Sequence, residues 1–206
     1  MTMDDHKYAP GYGVDNDPYA EANGVLKNKL GITNIADLNA AESDLVGARI
    51  AELRENLIKG NFDLDHAKAI HKHLFQDVYP WAGEIRRVDI VRGDDYFARH
   101  EYIADEFRKL AGQLHKENNL KNLTPDEFAE RAGHYLGELN ALHPFREGNG
   151  RTQRELVGQL AHEAGYEIAW ANIGKDAMTQ ASIMAFRGDS GKLAKLIRHN
   201  LEPSAE

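Results

Sequence analysis

Cysteine is absent from this 206-residue chain. That excludes a disulfide framework, a thiol nucleophile and a thiolate metal site. Long apolar runs are absent too: none approaches the ~18 residues of a membrane span. The first residues are acidic and aromatic, where a secretion leader would be basic and then apolar, so no leader is expected. An excess of positive charge is also missing. The formal net charge is −8, whereas a protein that grips nucleic acid by its phosphates is normally basic. DNA and RNA are therefore not expected as direct partners, although a local pocket can still bind a small anion. There is no internal repeat and no low-complexity tract.

What is present is an ordinary globular composition, 42% hydrophobic and 28% charged, in a length that suits one domain. Residues 1–20 mix Asp, Gly, Pro and Tyr without period and read as a loose tail. Residues 21–206 read as a single domain with no interior linker. Short apolar spacings between Leu26 and Leu38 suggest a partly helical entry. Apolar periodicity predicts a helix over 41–58, with Leu45, Val46, Ile50, Leu53 and Leu57 on its stripe. Asp63 is a candidate cap for a second helix that buries Ala67, Ile70, Leu74 and Phe75. Ile85, Val88, Ile90 and Val91 are β-branched, and Gly93, Asp94 and Asp95 read as a turn. A β-hairpin is expected there, between 83 and 97.

Helices are expected again over 101–117, 124–142, 150–164, 175–186 and 191–201. Thr124, Pro125, Asp126 and Glu127 make a strong helix start, and Pro144 forces a break. The fold class is mainly α, with about six to eight helices and one inserted hairpin.

The chemistry concentrates in one run: His143, Pro144, Phe145, Arg146, Glu147, Gly148, Asn149, Gly150, Arg151, Thr152, Gln153, Arg154. Gly148 and Gly150 flank Asn149 and let successive backbone N–H groups point inward as an anion nest. The nest opens a helix, whose free donors and dipole favour the same charge. Arg151 and Arg154 share a face of that first turn, and two guanidiniums beside a nest suit a polyphosphate. Polyphosphate normally arrives with Mg²⁺, which takes oxygen ligands; Glu147 is the carboxylate inside the loop. His143, at the end of the preceding helix, can accept a proton near neutral pH. A hydroxyl deprotonated by His143 could then attack a phosphorus held in the nest. A P-loop is rejected: it requires glycine five residues before Gly150, where Phe145 stands, and a strand ahead of the loop.

The run matches the HPFx[D/E]GNGRxxR signature at every fixed position, and the chain resembles the Fic family. Phe62, Asp63, Leu64, His71, Leu74, Phe75, Tyr79, Pro80, Trp81, Ala82, Gly83 and Arg86 extend the likeness upstream. The resemblance implies a Fic-type helical bundle and a protein adenylyltransferase. Such an enzyme moves AMP from ATP to a Ser, Thr or Tyr hydroxyl and releases pyrophosphate. It implies His143 as base, Phe145 as loop anchor and Glu147 as the Mg²⁺ ligand. Gly148, Asn149 and Gly150 match the anion hole, with Asn149 on the α-phosphate. Arg151 and Arg154 match the outer phosphate contacts. The hairpin over residues 86–97, opening at Arg86 and closing at Phe97, matches a flap that docks a target protein by strand addition. Relatives that phosphorylate carry lysine in place of Gly150 and alanine in place of Gly148, so two glycines favour AMP transfer. Transfer of another nucleotide or of phosphocholine, and a catalytically silent binding module, stand as alternatives.

Many relatives also carry an inhibitory [S/T]xxxE[G/N] helix whose Glu pairs with the residue matching Arg154. Here the acids followed by Gly or Asn are Glu55, Glu117 and Glu147, and four residues earlier stand Ala51, Gln113 and His143. The motif is absent. The chain thus resembles the class restrained by a separate small antitoxin, which would contact Arg154. Targets implied are a type II topoisomerase subunit (gyrase or topoisomerase IV) or, for delivered relatives, a host GTPase. The implied location is the bacterial cytoplasm, or a host cell if the chain is part of a secreted effector.

Other candidates are set aside. His66, His71 and His73 lack the i, i+4 spacing of a helical metal site and read as core-edge or solvated. His134 and Glu138 read as an exposed helix pair. Trp81 and Trp170 read as core, and Tyr96 and Tyr102 as surface residues.

Overall fold

The computed structural model describes residues 17–92 and 95–204. Seven α-helices and two small antiparallel pairs of strands make up the described residues. Helix α1 (Ile35–Glu55) starts earlier than its apolar stripe suggests. Asn34 caps it, its side chain accepting the Asp37 N–H at 3.1 Å. Leu38, Val46 and Leu53 are its buried apolar residues, whereas Leu57 lies past its end and is exposed. Between residues 20 and 34 the chain is irregular, with one bridge from Ala20 to Leu26. Helix α2 (Leu64–Phe75) is capped by Asp63, which accepts from His66 N at 2.9 Å, and it buries the four residues expected of it.

The hairpin forms where the β-branched residues cluster, but its strands are short. Strand β1 (Val91–Arg92) pairs with β2 (Asp95–Tyr96), in the register Val91 with Tyr96 and Arg92 with Asp95. Gly93 and Asp94, read as turn residues, lie outside the described residues. Arg86 and Phe97, expected at the limits of an open flap, are buried. Helix α3 (Ile103–Lys116) follows a short 3₁₀ turn.

Helix α4 (Pro125–Leu142) is the axis of the domain and packs against α3, α5, α6 and α7. It begins with a complete capping box: Thr124 accepts the Glu127 N–H, and the Glu127 carboxylate accepts the Thr124 N–H at 2.9 Å. Such a cap contributes about 1 kcal/mol. Gly133 lets α7 (Gly191–His199) approach closely, since a Cβ there would meet Ala194 N at 2.6 Å. Helix α5 (Asn149–Glu163) lies against α2 and α4, and α6 (Lys175–Phe186) covers the C-terminal part of α4 near Gly137 and Asn140.

Two expectations are corrected. Helix α7 ends at His199, and the next residues form β4 (Leu201–Pro203), paired with β3 (Tyr166–Ile168). The segment read as tail is ordered from Asp17: Tyr19 is in the core, edge-on to Trp81 at 5.4 Å, and accepts the Arg87 N–H. Residues 1–16 lie outside the described residues.

Candidate active site

The junction of α4 and α5 holds the twelve-residue run. His143 caps α4 in the left-handed region, with φ of 45°. That conformation costs roughly 1 kcal/mol for a residue with a Cβ, and Pro144 then prevents further helix. Arg86 secures the turn. Its side chain is fully buried and donates to His143 O at 2.8 Å, to Leu142 O at 3.3 Å, to Val88 O at 2.7 Å and to Ala98 O. One guanidinium thus ties the last carbonyls of α4 to both arms of the hairpin. In the sequence Arg86 belongs only to the resemblance and to the expected flap; in the structure its contacts are internal.

The His143 ring is half-buried and stacks on Phe97 at 3.9 Å. Its Nδ1 faces Asn140 O at 3.2 Å. A carbonyl can only accept, so Nδ1 carries the hydrogen and Nε2 keeps a lone pair. Nε2 has no hydrogen-bond partner among the described residues. Burial pushes the imidazole down to about 3, against the Asn140 carbonyl, which raises it; the charges of Arg86, Arg92 and Arg146 each add a smaller lowering. The ring is therefore neutral at pH 7 and presents a base.

The loop behind the nest is packed as core. Phe145 is buried, and its ring stacks on His71 at 3.9 Å. Asn149 closes the loop: its Oδ1 accepts Phe145 N at 2.8 Å, and its Nδ2 donates to Phe145 O at 2.8 Å. With its side chain so engaged, Asn149 offers an anion its backbone N–H. His71 braces the loop from below. Gly83 N donates to its Nδ1 at 2.8 Å, so its Nε2 must donate to Glu147 O at 3.0 Å. Complete burial holds His71 neutral, down to about 3. Asp17 pairs with Arg146 at 2.6 Å on the outside of the loop.

Gly148 has φ of +81°, and a Cβ there would fall 2.3 Å from the Phe75 ring. Its N–H donates to Glu147 Oε1 at 2.9 Å. The next two N–H groups, of Asn149 and Gly150, open α5 and have no acceptor among the described residues. Free donors of this kind at a helix N-terminus can bind an anion.

The two arginines differ. Arg151 donates to Glu42 Oε1 at 2.6 Å and to Glu147 Oε1 at 3.4 Å, and lies over the Phe75 ring at 4.8 Å. Glu42 is wholly buried and also accepts from the Tyr79 hydroxyl. Arg154 forms no hydrogen bond or ion pair with the described residues. Its Nη1 lies 3.4 Å from where a side chain on Gly150 would begin, so it overhangs the nest. Burial, then the neighbouring Arg151, lowers its affinity for its proton. A half-buried cation beside two free N–H groups is an arrangement whose charge and donors suit an anion.

His66, His71 and His73 are structural: besides the loop contact of His71, they bond backbone groups of Ile58, Phe62 and Arg49. Trp81 is buried in the core, and Trp170 packs half-buried against it.

The chain belongs to the Fic/DOC family, whose model matches residues 61–161. It is 50% identical over 191 residues to the protein adenylyltransferase VbhT of Bartonella schoenbuchensis, covering 92% of this chain but 40% of VbhT. It is 36% identical to a probable protein adenylyltransferase Fic of Salmonella typhimurium, covering 95% of this chain and 97% of that protein. Among solved structures, the BepC effector of Bartonella tribocorum with bound AMPPNP superposes with a TM-score of 0.85. The identity there is 30%, over 91% of this chain and 98% of that one.

Proposed function

We propose that this chain transfers AMP from ATP to a hydroxyl of a protein. The observation that carries the reading is the unpaired Arg154 over the free N–H groups of Asn149 and Gly150, at the same junction of α4 and α5 as a neutral imidazole. The triphosphate occupies the nest, with Arg154 on its outer phosphates. His143 Nε2 takes the proton of the incoming Ser, Thr or Tyr hydroxyl. The oxygen bonds to the α-phosphorus, the bond to the β-phosphate oxygen breaks, and pyrophosphate leaves. The nest donors stabilise the charge that builds on the α-phosphate oxygens. A bound triphosphate also offsets the three arginine charges that depress His143, so its basicity rises when substrate is present.

Mg²⁺ fits the donor set. No cluster of three or more His, Asp or Glu residues suited to a metal occurs among the described residues, and Mg²⁺ is commonly held by one carboxylate plus phosphate oxygens and water. Glu147 would be that carboxylate, and the ion would neutralise charge on the phosphates.

The target docks on the hairpin, where Tyr96 is exposed beside short, open strands. The class of target is a type II topoisomerase subunit or, for a delivered form, a host GTPase. A small antitoxin that places a carboxylate on Arg154 would block the outer phosphate site. Among the described residues no helix is long and apolar enough to cross a membrane. The proposed place of action is the cytoplasm, of the producing cell or of a recipient.

The test is incubation of the chain with α-labelled ATP and a cell lysate, beside His143→Ala. Label on a discrete protein band is expected with the wild type. The loss with His143→Ala is expected to be about 10²- to 10⁴-fold. Equal labelling by both, or by neither, would contradict the mechanism.

A further inference from the structure

In a continuing helix the carbonyl of Asn140 would accept from the residue four places on. That residue is Pro144, which has no N–H. The His143 ring fills the gap, its Nδ1 donating to Asn140 O at 3.2 Å. That bond selects the tautomer. It does not fix the plane of the ring, because the torsion that turns an imidazole about its stem is broad. Without a second restraint, Nε2 has no constant direction.

Phe97 supplies the restraint. The two rings lie face to face, their centroids 3.9 Å apart and their planes 22° from parallel. Phe97 is itself well held. Phe186 of α6 meets it edge-on at 5.5 Å. Its N–H donates across the hairpin to Ile90 O at 3.3 Å, and the next N–H, of Ala98, donates to Ala141 O at 3.0 Å in the last turn of α4. Ala98 O accepts from Arg86. Phe97 is thus buried and tied to the helix end that carries His143, whereas Tyr96, one residue earlier, is exposed. Successive residues of an extended chain point to opposite sides, so the hairpin turns one ring to solvent and the next to the base. A phenyl ring offers an imidazole neither a proton nor a hydrogen bond, so what it contributes here is orientation.

We propose that Phe97 is a positioning residue that fixes the plane of the His143 ring and so aims Nε2 at the incoming hydroxyl. This rests on the reading of His143 as the base. Phe97 exchanges no proton and acts through His143.

The experiment takes two readings of the same variants. Phe97→Leu keeps an apolar side chain and loses the flat face; Phe97→Tyr keeps the face. The first reading is the ¹⁵N spectrum of the nucleotide-free chain with labelled histidine, where the His143 signals are those absent from His143→Ala. The wild type is expected to show a protonated Nδ1 and a bare Nε2 as separate, sharp signals. In Phe97→Leu the ring leaves Asn140 O for part of the time, so both tautomers are sampled, and the two signals are expected to broaden and converge. The second reading is the initial rate of labelling in lysate over a range of α-labelled ATP. The maximal rate of Phe97→Leu is expected to fall about 10²-fold, the scale of a misplaced reacting group, with the half-saturating ATP unchanged. Phe97→Tyr is expected to keep the wild-type spectrum and most of the rate. If Phe97→Leu does not fold cooperatively, Phe97→Met, equally without a flat face, carries the same expectations. An unchanged imidazole spectrum or an unchanged maximal rate in the variant that folds would overturn the proposal. So would Phe97→Tyr as slow as Phe97→Leu. His143→Ala separates the two levels. If it labels as the wild type does, the base is wrongly assigned; if it loses the label while Phe97→Leu keeps it, only the role of Phe97 falls.

Discussion

The loop over residues 144–149 and the hairpin over residues 91–96 both adjoin His143, yet they are built in opposite ways. The loop is buried throughout, and its polar groups are matched to fixed partners: Asn149 to the Phe145 backbone, the Glu147 carbonyl to His71, Arg146 to Asp17. The hairpin has strands of two residues each, and Tyr96 is 75% exposed. On the proposed function, the difference follows from what each must do. Donors that stabilise developing charge must be in place before the reaction. An edge that receives another protein's strand gains its remaining hydrogen bonds from that partner.

Substitutions can break this contrast. Gly148→Ala should have the largest effect. It combines a left-handed backbone with a Cβ 2.3 Å from Phe75, and urea unfolding should show a loss of about 3 kcal/mol. A loss below about 1 kcal/mol would mean the loop yields, and rigidity is not its purpose. Arg154→Ala comes next. It removes the charged contact to the outer phosphates, and the KM for ATP should rise about 10- to 100-fold with the fold intact. An unchanged KM would remove Arg154 from the phosphate site.

The brace under the loop should show itself through pH. Burial lowers His71 to about 3 in the folded chain, whereas an unfolded histidine titrates near ~6.5. The unfolded state therefore binds the extra proton first. The stability held by neutral His71 is complete above that unfolded value and is lost as pH falls towards the folded one. The slope should approach about 1.4 kcal/mol per pH unit, and His71→Gln should flatten the unfolding profile between pH 7 and 5 by that share. An identical slope in both proteins would count against a neutral brace. Tyr96→Ala should have the smallest effect: stability within about 0.5 kcal/mol of wild type, with target labelling reduced. A large loss of stability would make the hairpin part of the core.

The same contrast governs what the sequence reveals. Helix α4 is legible to the residue because its signals are local: Thr124 and Glu127 at one end, Pro144 at the other. Helix α1 is misplaced at its start because Asn34 caps two turns that carry little apolar pattern. Strands β3 and β4 are missed because three residues each, thirty-five apart, leave no periodicity. Within the site, the motif places His143, Glu147, the nest and both arginines together. It does not separate Arg151 from Arg154, since the difference comes from Glu42, over a hundred residues away. One signal was available there. Leu38, Glu42 and Val46 recur at i, i+4, so an acid occupies the apolar face, and a buried acid requires a partner. Arg86 and His71 give no comparable signal, because their partners are backbone carbonyls and N–H groups.

The most direct test of a pre-formed nest is the backbone amide spectrum of the isotope-labelled chain, by nuclear magnetic resonance, with and without AMPPNP. The expected result is a large shift and slowed exchange at the Asn149 and Gly150 N–H groups. Phe145 and Gly148, already bonded to Asn149 and Glu147, should stay nearly unmoved. Silent Asn149 and Gly150 amides with saturating nucleotide bound would place the phosphates elsewhere and contradict the mechanism.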